Sequence, residues 1–157
     1  MTTTVQERLR ASGLRSTAPR ATVLDVLQQA APRREHLAAA QVAARARALL
    51  GSLSTQAVYD CLEALTRVGL VRRIEPAGHP ALFESRVGDN HHHLVCRGCG
   101  LTRDVDCIVG SAACLTPSDD AGFVVDEAEV VFWGWCPRCA CPERDGAYAA
   151  DAAPAAN

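Results

Sequence analysis

Apolar residues recur at helical spacing through the first part of the chain. The pattern predicts four helices, over residues 4–12, from Thr17 to Pro32, from His36 to Leu50 and from Ser54 to Gly69. Pro19 suits the first turn of the second helix, where its missing N–H costs nothing. Ser54 is a favourable N-cap for the fourth helix, and one apolar face of that helix carries Val58, Leu62 and Leu65.

Two short extended runs follow the helices. Leu70–Glu75 and Ala81–Ser85 are separated by PAGHP, which is typical of a hairpin turn. Helices followed by a β-hairpin are the element order of a winged helix-turn-helix domain, whose last helix enters the major groove of DNA. The same order also fits a small helical domain that has no role in DNA binding. Arg72 and Arg73 on the hairpin favour the DNA-binding interpretation.

The rest of the chain predicts a second, smaller domain. Residues 86–90 (RVGDN) are predicted to be a linker, and residues 142–157 a disordered tail rich in Ala. Between them we expect strands over His91–Arg97 and Leu101–Cys107, a loop or short helix over Gly110–Gly122, and one long strand or two over Phe123–Trp135. The chain is therefore predicted to be α+β, with a winged helix-turn-helix domain over residues 1–85 and a small α/β domain over residues 91–141.

Composition and charge narrow the class of protein. No apolar run approaches the roughly 18–20 residues that cross a bilayer, and MTTTVQERLR lacks the apolar core of a signal peptide, so we expect a cytoplasmic protein. Residues 1–87 hold 12 Arg and 7 acidic residues, a net charge of +5, whereas residues 88–157 hold 4 Arg and 11 acidic residues, a net charge of −7. A basic half suggests that this end of the chain meets a polyanion such as DNA.

Seven of the eight cysteines lie after residue 95, and four of them form two C-x-x-C pairs. Clustered cysteines in a reducing compartment point to metal binding or redox chemistry rather than to disulfides. The pairs are Cys96 with Cys99 and Cys136 with Cys139. Four thiolates complete the tetrahedron that Zn²⁺ prefers and leave no open position, so a structural zinc site is predicted. Two independent redox dithiols are the alternative.

A second group of candidate ligands combines imidazoles and carboxylates. In His91-His92-His93, alternate strand residues share a face, so His91 and His93 point together. Glu84 and Asp104 are expected on neighbouring strands, whereas His36 would have to come from the first domain. Nitrogen and oxygen donors suit Fe²⁺, Mn²⁺ or Zn²⁺. A surface His triplet and a polar helix start are the alternatives.

Taken together, these residues resemble the ferric uptake regulator (Fur) family of metal-dependent bacterial repressors, over roughly residues 10–140. The resemblance rests on GLRSTAPRATVLDVL, STQAVYDCLEALTRVGLVRRI, ALFES, HHHLVCRGCG and WGWCPRC. Within the family, DNHHHLVCRGCG and VDEAEVVFWGWCPRC look like the actinobacterial FurA-type regulators of catalase-peroxidase genes.

The resemblance implies a homodimer whose C-terminal α/β domains are dimerisation domains. It implies a regulatory Fe²⁺ or Mn²⁺ site that bridges the two domains, at positions matching His36, Glu84, His91, His93 and Asp104. Metal would close the dimer so that both recognition helices fit successive major grooves of an A·T-rich inverted repeat. Peroxide-sensing members tend to carry Asp where Asp104 stands, and His36 and His91 are the implied sites of oxidation. The implied function is a repressor that senses hydrogen peroxide.

Five residues are expected to contact DNA by this resemblance: Arg15, Ser54, Thr55, Gln56 and Tyr59. Tyr59 can touch thymine methyl groups, and Arg15 aligns with a basic residue that enters the minor groove, where A·T-rich DNA attracts Arg. Asp60 departs from the family, whose recognition helix usually carries Arg at this position. An acidic side chain there would repel DNA if it faced the groove.

A repressor of the same fold that senses iron, zinc or thiol oxidation is the alternative function. Cys61 lies on the apolar face of the fourth helix and is predicted to be buried, while Cys107, Cys114 and Cys141 could serve a thiol sensor. We expect no enzymatic activity, because five protein ligands leave little room for a substrate at the metal. No catalytic nucleophile or phosphate-binding loop accompanies those ligands.

Overall fold

The computed structural model describes residues 3–89, 91–106, 118–119, 121–125 and 129–140. The helices within these ranges are α1 (Val5–Ala11), α2 (Ala18–Ala30), α3 (Ala39–Leu50) and α4 (Thr55–Arg67), and a 3-10 turn (Ala31–Arg33) follows α2. The strands are β1 (Leu37–Ala38), β2 (Arg72–Ile74), β3 (Leu82–Glu84), β4 (His91–Cys96), β5 (Thr102–Asp106) and β6 (Val131–Gly134). The predicted α+β class is confirmed.

Side-chain caps begin two of the helices. The Thr4 hydroxyl accepts a hydrogen bond from the Glu7 N–H at 3.2 Å, and the Glu7 carboxylate accepts one from the Thr4 N–H at 2.8 Å. The Ser54 hydroxyl accepts a hydrogen bond from the Ala57 N–H at 3.1 Å and so caps α4, as the sequence predicts. These caps satisfy N–H groups that have no partner inside the helix.

The four helices pack around an aliphatic core. The apolar face predicted for α4 is buried, with Val58, Leu62 and Leu65 each 1% exposed or less. Leu24 of α2 and Val42 of α3 are fully buried in the same cluster. One face of α4 thus packs on this core, and its opposite face is exposed.

The first sheet has the order β1-β3-β2, and all its pairs are antiparallel. β2 and β3 form the predicted hairpin. The prediction of a helix over His36–Leu50 is wrong at its start, because β1 pairs with β3 and α3 begins only at Ala39. The Gln41 side chain accepts a hydrogen bond from the Ala38 N–H at 2.9 Å and fixes the helix start there. His36 therefore precedes a strand and lies outside the helix.

The second sheet has the order β5-β4-β6, with β4 antiparallel to β5 and parallel to β6. The prediction of one or two strands over Phe123–Trp135 is wrong in its extent, because the described part of this segment forms a strand only at β6. Ala121 and Gly122 have positive φ angles of 47° and 81° and form a turn, after which Val124 is 96% exposed. A segment with no buried face lacks the packing that stabilises a strand.

Several predictions lie wholly or largely outside the described residues. These are the segment Gly110–Gly122, of which only residues 118–119 and 121–122 are described, and the tail 142–157. The domain boundaries at residues 85 and 91 stay a prediction. Among the described residues, no helix is both long enough and apolar enough to span a membrane.

The helices and the hairpin both contact the second sheet. Arg34 follows the 3-10 turn and pairs with Asp106 of β5 at 3.0 Å. The hairpin turn packs against Gly100, where an added Cβ would lie 2.7 Å from Nδ1 of His79. Gly100 also has a φ of +70°, so this position needs glycine for both its conformation and its contact.

Candidate metal centres and nucleic-acid interface

Strand β4 carries predicted metal ligands at both of its ends. His93 lies opposite Asp104 of β5. At the other end, Cys96 lies opposite Gly134 of β6, two residues before Cys136. The pairing of one strand with its two neighbours therefore positions both candidate sites.

The structure brings the four predicted zinc ligands together. One sulfur from each of Cys96, Cys99, Cys136 and Cys139 lies within 4.8 Å of the others. Cys99 Sγ is 3.7 Å from Cys136 Sγ. With Zn–S bonds of about 2.3 Å, a tetrahedral zinc site has S–S edges of about 3.8 Å. The spacing of these two sulfurs fits zinc.

The acidity of the thiols also fits a bound cation. The Cys136 N–H donates to Cys96 Sγ at 3.3 Å and is the main cause that lowers the pKa of Cys96 to about 6. The adjacent thiols of Cys136 and Cys99 raise the pKa of Cys139 to about 12. Four crowded thiols do not all lose their protons unless a cation stabilises the thiolates, which is what a bound divalent metal does.

Gly98 allows the two C-x-x-C turns to approach each other. A Cβ at this position would lie 2.9 Å from a ring carbon of Trp135 and 3.1 Å from both Cβ and Sγ of Cys139. Only a residue without a side chain fits there without displacing a zinc-ligand candidate.

The second candidate site lies between the two sheets. Its donor atoms, one from each residue and all within 4.8 Å of one another, belong to His36, Glu84, His93 and Asp104. The expectation that Glu84 lies on a strand next to β4 is wrong, because β3 belongs to the first sheet. Glu84 is the last residue of β3 and reaches the site from the hairpin side. The site is thus built from both parts of the chain.

The fifth predicted ligand, His91, lies beside this group. The rings of His91 and His93 are 5.0 Å apart, on the shared face that strand alternation predicts. His91 Nε2 lies 3.0 Å from Glu84 Oε1, and its Nδ1 lies 2.8 Å from Asp89 Oδ1. Its Nε2 therefore points toward the candidate site.

The donor atoms are enclosed, and several of them lack a hydrogen-bond partner among the described residues. The side chains of His36, Glu84, His93 and Asp104 are each 4% exposed or less. His36 Nε2 lies 2.8 Å from Asp104 Oδ1, yet among the described residues neither atom has a hydrogen-bond partner of acceptable geometry. The same holds for both ring nitrogens of His93. An unsatisfied buried polar group costs about 1–3 kcal/mol, so this arrangement suits atoms that share a metal ion.

Charge in the site is balanced by imidazoles. Burial alone would raise the pKa of Glu84, but its contacts with His36, His91 and His93 lower it far below the usual range. Burial alone would lower the pKa of His91, and the Glu84 carboxylate outweighs that effect and raises it. The ionised Glu84 carboxylate is thus stabilised by positive charge in the site, which a divalent metal can supply in place of a protonated His91.

Sequence reasoning missed two residues that contact this site. Arg86 and Asp89 lie in the segment predicted as a linker, but Arg86 bonds Asp104 at 2.8 Å and Asp89 bonds His91 at 2.8 Å. The available signal was a lone Arg followed by an acidic residue next to the His triplet. That signal does not show which carboxylates the guanidinium meets.

The predicted DNA-contact residues on α4 are exposed. Ser54, Thr55 and Gln56 lie at its N-terminus, and Tyr59 is 51% exposed in a groove of about 560 Å³ that Arg67 and Arg73 also line. Exposed basic side chains around a helix and a hairpin suit contacts with phosphate groups.

Arg15 lies beside α4. It lines a cleft of about 270 Å³ together with Ala57 and Asp60. The Gln56 amide donates to the Asp60 carboxylate at 2.8 Å, so one oxygen of this acidic residue has a hydrogen-bond partner on the same helix.

The cysteines outside the zinc-ligand set divide into two groups. Cys61 is buried, as predicted, and burial is the main cause that raises the pKa of its thiol. A protonated, enclosed thiol reacts slowly with oxidants. Cys107, Cys114 and Cys141 lie outside the described residues.

Comparison with known proteins shows which family this chain is similar to. The sequence profile of the ferric uptake regulator family matches residues 11–111, which is more than half of the chain. The chain belongs to the ferric uptake regulator family. Transcriptional regulator FurA of Mycobacterium tuberculosis is 53% identical over 142 residues, which cover 90% of this chain and 94% of that protein. Ferric uptake regulation protein 1 of Mycolicibacterium fortuitum is 52% identical over 125 residues, covering 80% and 75% of the two chains.

Solved structures of Fur proteins share the fold. The Vibrio cholerae ferric uptake regulator is 26% identical, with a TM-score of 0.62, and the match covers 83% of this chain and 98% of that one. The Helicobacter pylori Fur structure is 20% identical, with a TM-score of 0.67 and coverage of 88% and 97%. Fur proteins are dimeric DNA-binding regulators. This Fur-family chain is accordingly a metal-responsive transcriptional regulator and not an enzyme.

Proposed function

We propose that this Fur-family regulator is a repressor that senses hydrogen peroxide and controls oxidative-stress genes, among them a catalase-peroxidase gene. Its sensor is the metal site formed by His36, Glu84, His91, His93 and Asp104. The observation that carries the proposal is the convergence of buried nitrogen and oxygen donors, of which those of His36 and His93 and Oδ1 of Asp104 have no hydrogen-bond partner among the described residues. The Asp at position 104 favours peroxide over iron as the signal, by the resemblance to peroxide-sensing members of the family. The repressor acts in the cytoplasm as a homodimer.

Two kinds of metal have separate roles in this proposal. Zn²⁺ binds Cys96, Cys99, Cys136 and Cys139 and stabilises the second sheet, since it ties the end of β4 to the residues after β6. Fe²⁺ or Mn²⁺ binds the imidazole and carboxylate site, whose donors suit harder ions than thiolates do. The first metal is structural and the second is regulatory.

The position of the regulatory site supports a link to DNA binding. His36 and Glu84 belong to the helices and hairpin, whereas His93 and Asp104 belong to the second sheet. A metal that all of them ligate favours one arrangement of the two parts over others. Metal affinity and DNA affinity are then coupled, and each raises the other.

Peroxide weakens DNA binding in this proposal because it removes a ligand. Bound Fe²⁺ supplies the one-electron chemistry through which peroxide oxidises a nearby imidazole. His36 and His91 are the proposed targets by the resemblance to peroxide-sensing members of the family, and both imidazoles face carboxylates of the site. An imidazole oxidised on its ring no longer donates its nitrogen lone pair, so the site loses a ligand. The metal then no longer stabilises the arrangement of the two parts that binds DNA.

The proposed operator is an A·T-rich inverted repeat, read by the two copies of α4 in a homodimer. Ser54, Thr55, Gln56 and Tyr59 contact the major groove, and Arg15 enters an adjacent narrow minor groove. Exposure of these side chains on and beside α4 supports this assignment. Leu94 and Phe132 are 45% and 46% exposed on neighbouring strands of the second sheet, which supports pairing of the dimer through that sheet.

A gel-shift experiment tests the proposal. Zinc-loaded protein is mixed with the DNA upstream of its own gene without added metal, with Mn²⁺, and with Fe²⁺, each before and after a brief low dose of peroxide. We expect both metals to restore DNA binding and peroxide to abolish only the Fe²⁺ complex, with an added oxygen on His36 or His91 in the mass spectrum. If peroxide releases both complexes and a thiol reductant restores them, a cysteine is the sensor and the proposal is wrong.

Asp104→Glu separates peroxide sensing from iron sensing. The longer carboxylate keeps the charge and the donor atom, so the variant should bind Mn²⁺ and DNA. We expect peroxide to release its Fe²⁺ complex at least about tenfold more slowly than it releases the wild type, a change of about 1.4 kcal/mol in the barrier. Equal release rates would show that Asp104 does not set the response to peroxide.

A further inference from the structure

Arg86 makes more contacts with carboxylates than any other arginine among the described residues. It lies between β3 and β4, and its side chain is 25% exposed. Its guanidinium donates to Asp104 Oδ2 at 2.8 Å, to Asp106 Oδ1 at 2.8 Å and to Asp89 Oδ2 at 2.5 Å. A guanidinium with its donors spread in a fixed plane can hold three carboxylates in one arrangement.

Arg86 makes the two oxygens of Asp104 different. Oδ2 is bonded to Arg86, whereas Oδ1 faces His36 Nε2 at 2.8 Å and has no hydrogen-bond partner among the described residues. Oδ1 is therefore the oxygen that faces the candidate site without a competing hydrogen bond. With Oδ2 occupied, Asp104 is held as a ligand through one oxygen rather than two.

Arg86 also acts on His91 through Asp89. Asp89 Oδ2 accepts from Arg86, and Asp89 Oδ1 lies 2.8 Å from His91 Nδ1. The carboxylate fixes which nitrogen of His91 points away, which leaves Nε2 on the side of Glu84 at 3.0 Å. Residues that orient ligands in this way influence metal affinity strongly without touching the ion.

The third carboxylate connects Arg86 to the helical part of the chain. Asp106 bonds Arg86 through Oδ1 and Arg34 through Oδ2, the latter at 3.0 Å. Arg34 and Asp106 are 52% and 57% exposed, so their pair is screened by solvent and contributes little. Removal of Arg34 thus disturbs the exposed end of the network and leaves the bond to Asp104 in place.

We propose that Arg86 is a positioning residue of the regulatory metal site, which limits Asp104 to one ligating oxygen and, through Asp89, directs His91 Nε2 inward. The inference rests on the proposed function, because it assumes that these residues bind a metal. With Asp104 limited to one oxygen, each of the five residues would offer one donor atom to the metal.

The test replaces Arg86 and measures coordination directly. Arg86→Gln removes the charge and the fork of donors. Arg86→Lys keeps the charge but lacks the planar fork that fits three separate carboxylates. Arg34→Ala is the matched control. Each zinc-loaded protein is titrated with Mn²⁺ to obtain its affinity and with Co²⁺ to record the visible d–d absorption, which weakens as the coordination number rises. Size-exclusion chromatography and zinc content report on the fold.

We expect Arg86→Gln to remain a zinc-loaded dimer, to lose at least about tenfold in Mn²⁺ affinity, and to show weaker Co²⁺ absorption as Asp104 uses both oxygens. Arg86→Lys should show an intermediate spectrum, and Arg34→Ala should match the wild type. A wild-type Mn²⁺ affinity and Co²⁺ spectrum in Arg86→Gln would overturn the inference and leave the proposed function standing. Loss of the dimer or of zinc in both Arg86 variants would show a role in folding and would also overturn it. If the wild type itself bound no second metal, the proposed function would fail as well.

Discussion

The absence of a side chain at Gly98 lets the two cysteine turns approach each other closely. The space that its Cβ would occupy holds the Trp135 ring and the Cys139 side chain. We expect Gly98→Ala to destabilise the folded protein by about 1–3 kcal/mol, because a side chain forced into a packed region displaces its neighbours. It should also release zinc to a chelator faster than the wild type. Denaturant unfolding and a chromogenic zinc chelator measure the two effects.

Gly134 offers the matched control for this prediction. It lies in β6, and a Cβ there would meet nothing within 4 Å. Gly134→Ala should therefore retain the wild-type stability and rate of zinc release. Equal behaviour of the two variants would contradict the role assigned to the close packing at Gly98.

The Cys61 thiol illustrates how burial decides reactivity. Burial raises its pKa, so the thiolate fraction at neutral pH is below that of an exposed cysteine. We expect iodoacetamide to leave Cys61 unmodified in the native protein and to modify it after unfolding. Peptide mapping by mass spectrometry distinguishes the two states. Rapid modification of Cys61 in the native dimer would contradict the buried position. It would also make Cys61 a candidate thiol sensor on α4.

At the scale of elements, α4 depends on its N-cap for both stability and recognition. The Ser54 hydroxyl accepts a hydrogen bond from the Ala57 N–H, so Ser54→Ala should cost about 0.5–2 kcal/mol. Ser54→Asn should keep most of that stability, because Asn caps helices equally well. Thermal unfolding measures the cap, and the gel shift measures any separate loss of DNA contact. Stability equal to the wild type in Ser54→Ala would contradict the capping role.

Strand β4 serves two sites, and substitutions at its two ends should have different effects. Cys96→Ser should lose zinc and the dimer, since a structural metal contributes its binding energy to folding. His93→Ala should remain a zinc-loaded dimer that no longer responds to Mn²⁺ in the gel shift. Zinc content, size-exclusion chromatography and DNA binding measure these outcomes. The same behaviour in both variants would contradict the separation of structural and regulatory sites.

Local sequence patterns predicted individual helices and strands better than they predicted which helices and strands pack together. The apolar face of α4, its Ser54 cap and the alternation of His91 and His93 are properties of short segments, and the structure agrees with each. The start of α3 was not predictable, because β1 exists only through its pairing with β3. Tertiary contacts of this kind override local propensity.

The two candidate metal sites also differ in how far local sequence spacing predicts them. Two C-x-x-C pairs indicate four clustered sulfurs from spacing alone, and their convergence in the structure needs only the pairing of β4 with β6. The proximity of His36 to Asp104 depends on how two sheets meet, which no local spacing encodes. The family resemblance supplied that set of residues. The contacts of Arg86 emerged only from the structure.

At the scale of the whole molecule, the regulatory site lies where the two parts of the chain meet. Buried ligands from both sheets and the exposed Arg34–Asp106 pair lie on the same boundary. In the proposed function, a metal there would stabilise one relative arrangement of the recognition helix and the second sheet, and occupancy of a small site would thereby control DNA binding across a dimer.

The central claim is that one buried site, shared by the two sheets, binds the regulatory metal. Anomalous X-ray scattering at the manganese edge, from crystals of the zinc- and Mn²⁺-loaded protein, tests it most directly. We predict one manganese peak enclosed by His36, Glu84, His91, His93 and Asp104, and a separate zinc peak among the four cysteines. A manganese peak at any other position, or manganese bound only at the cysteines, would contradict the account.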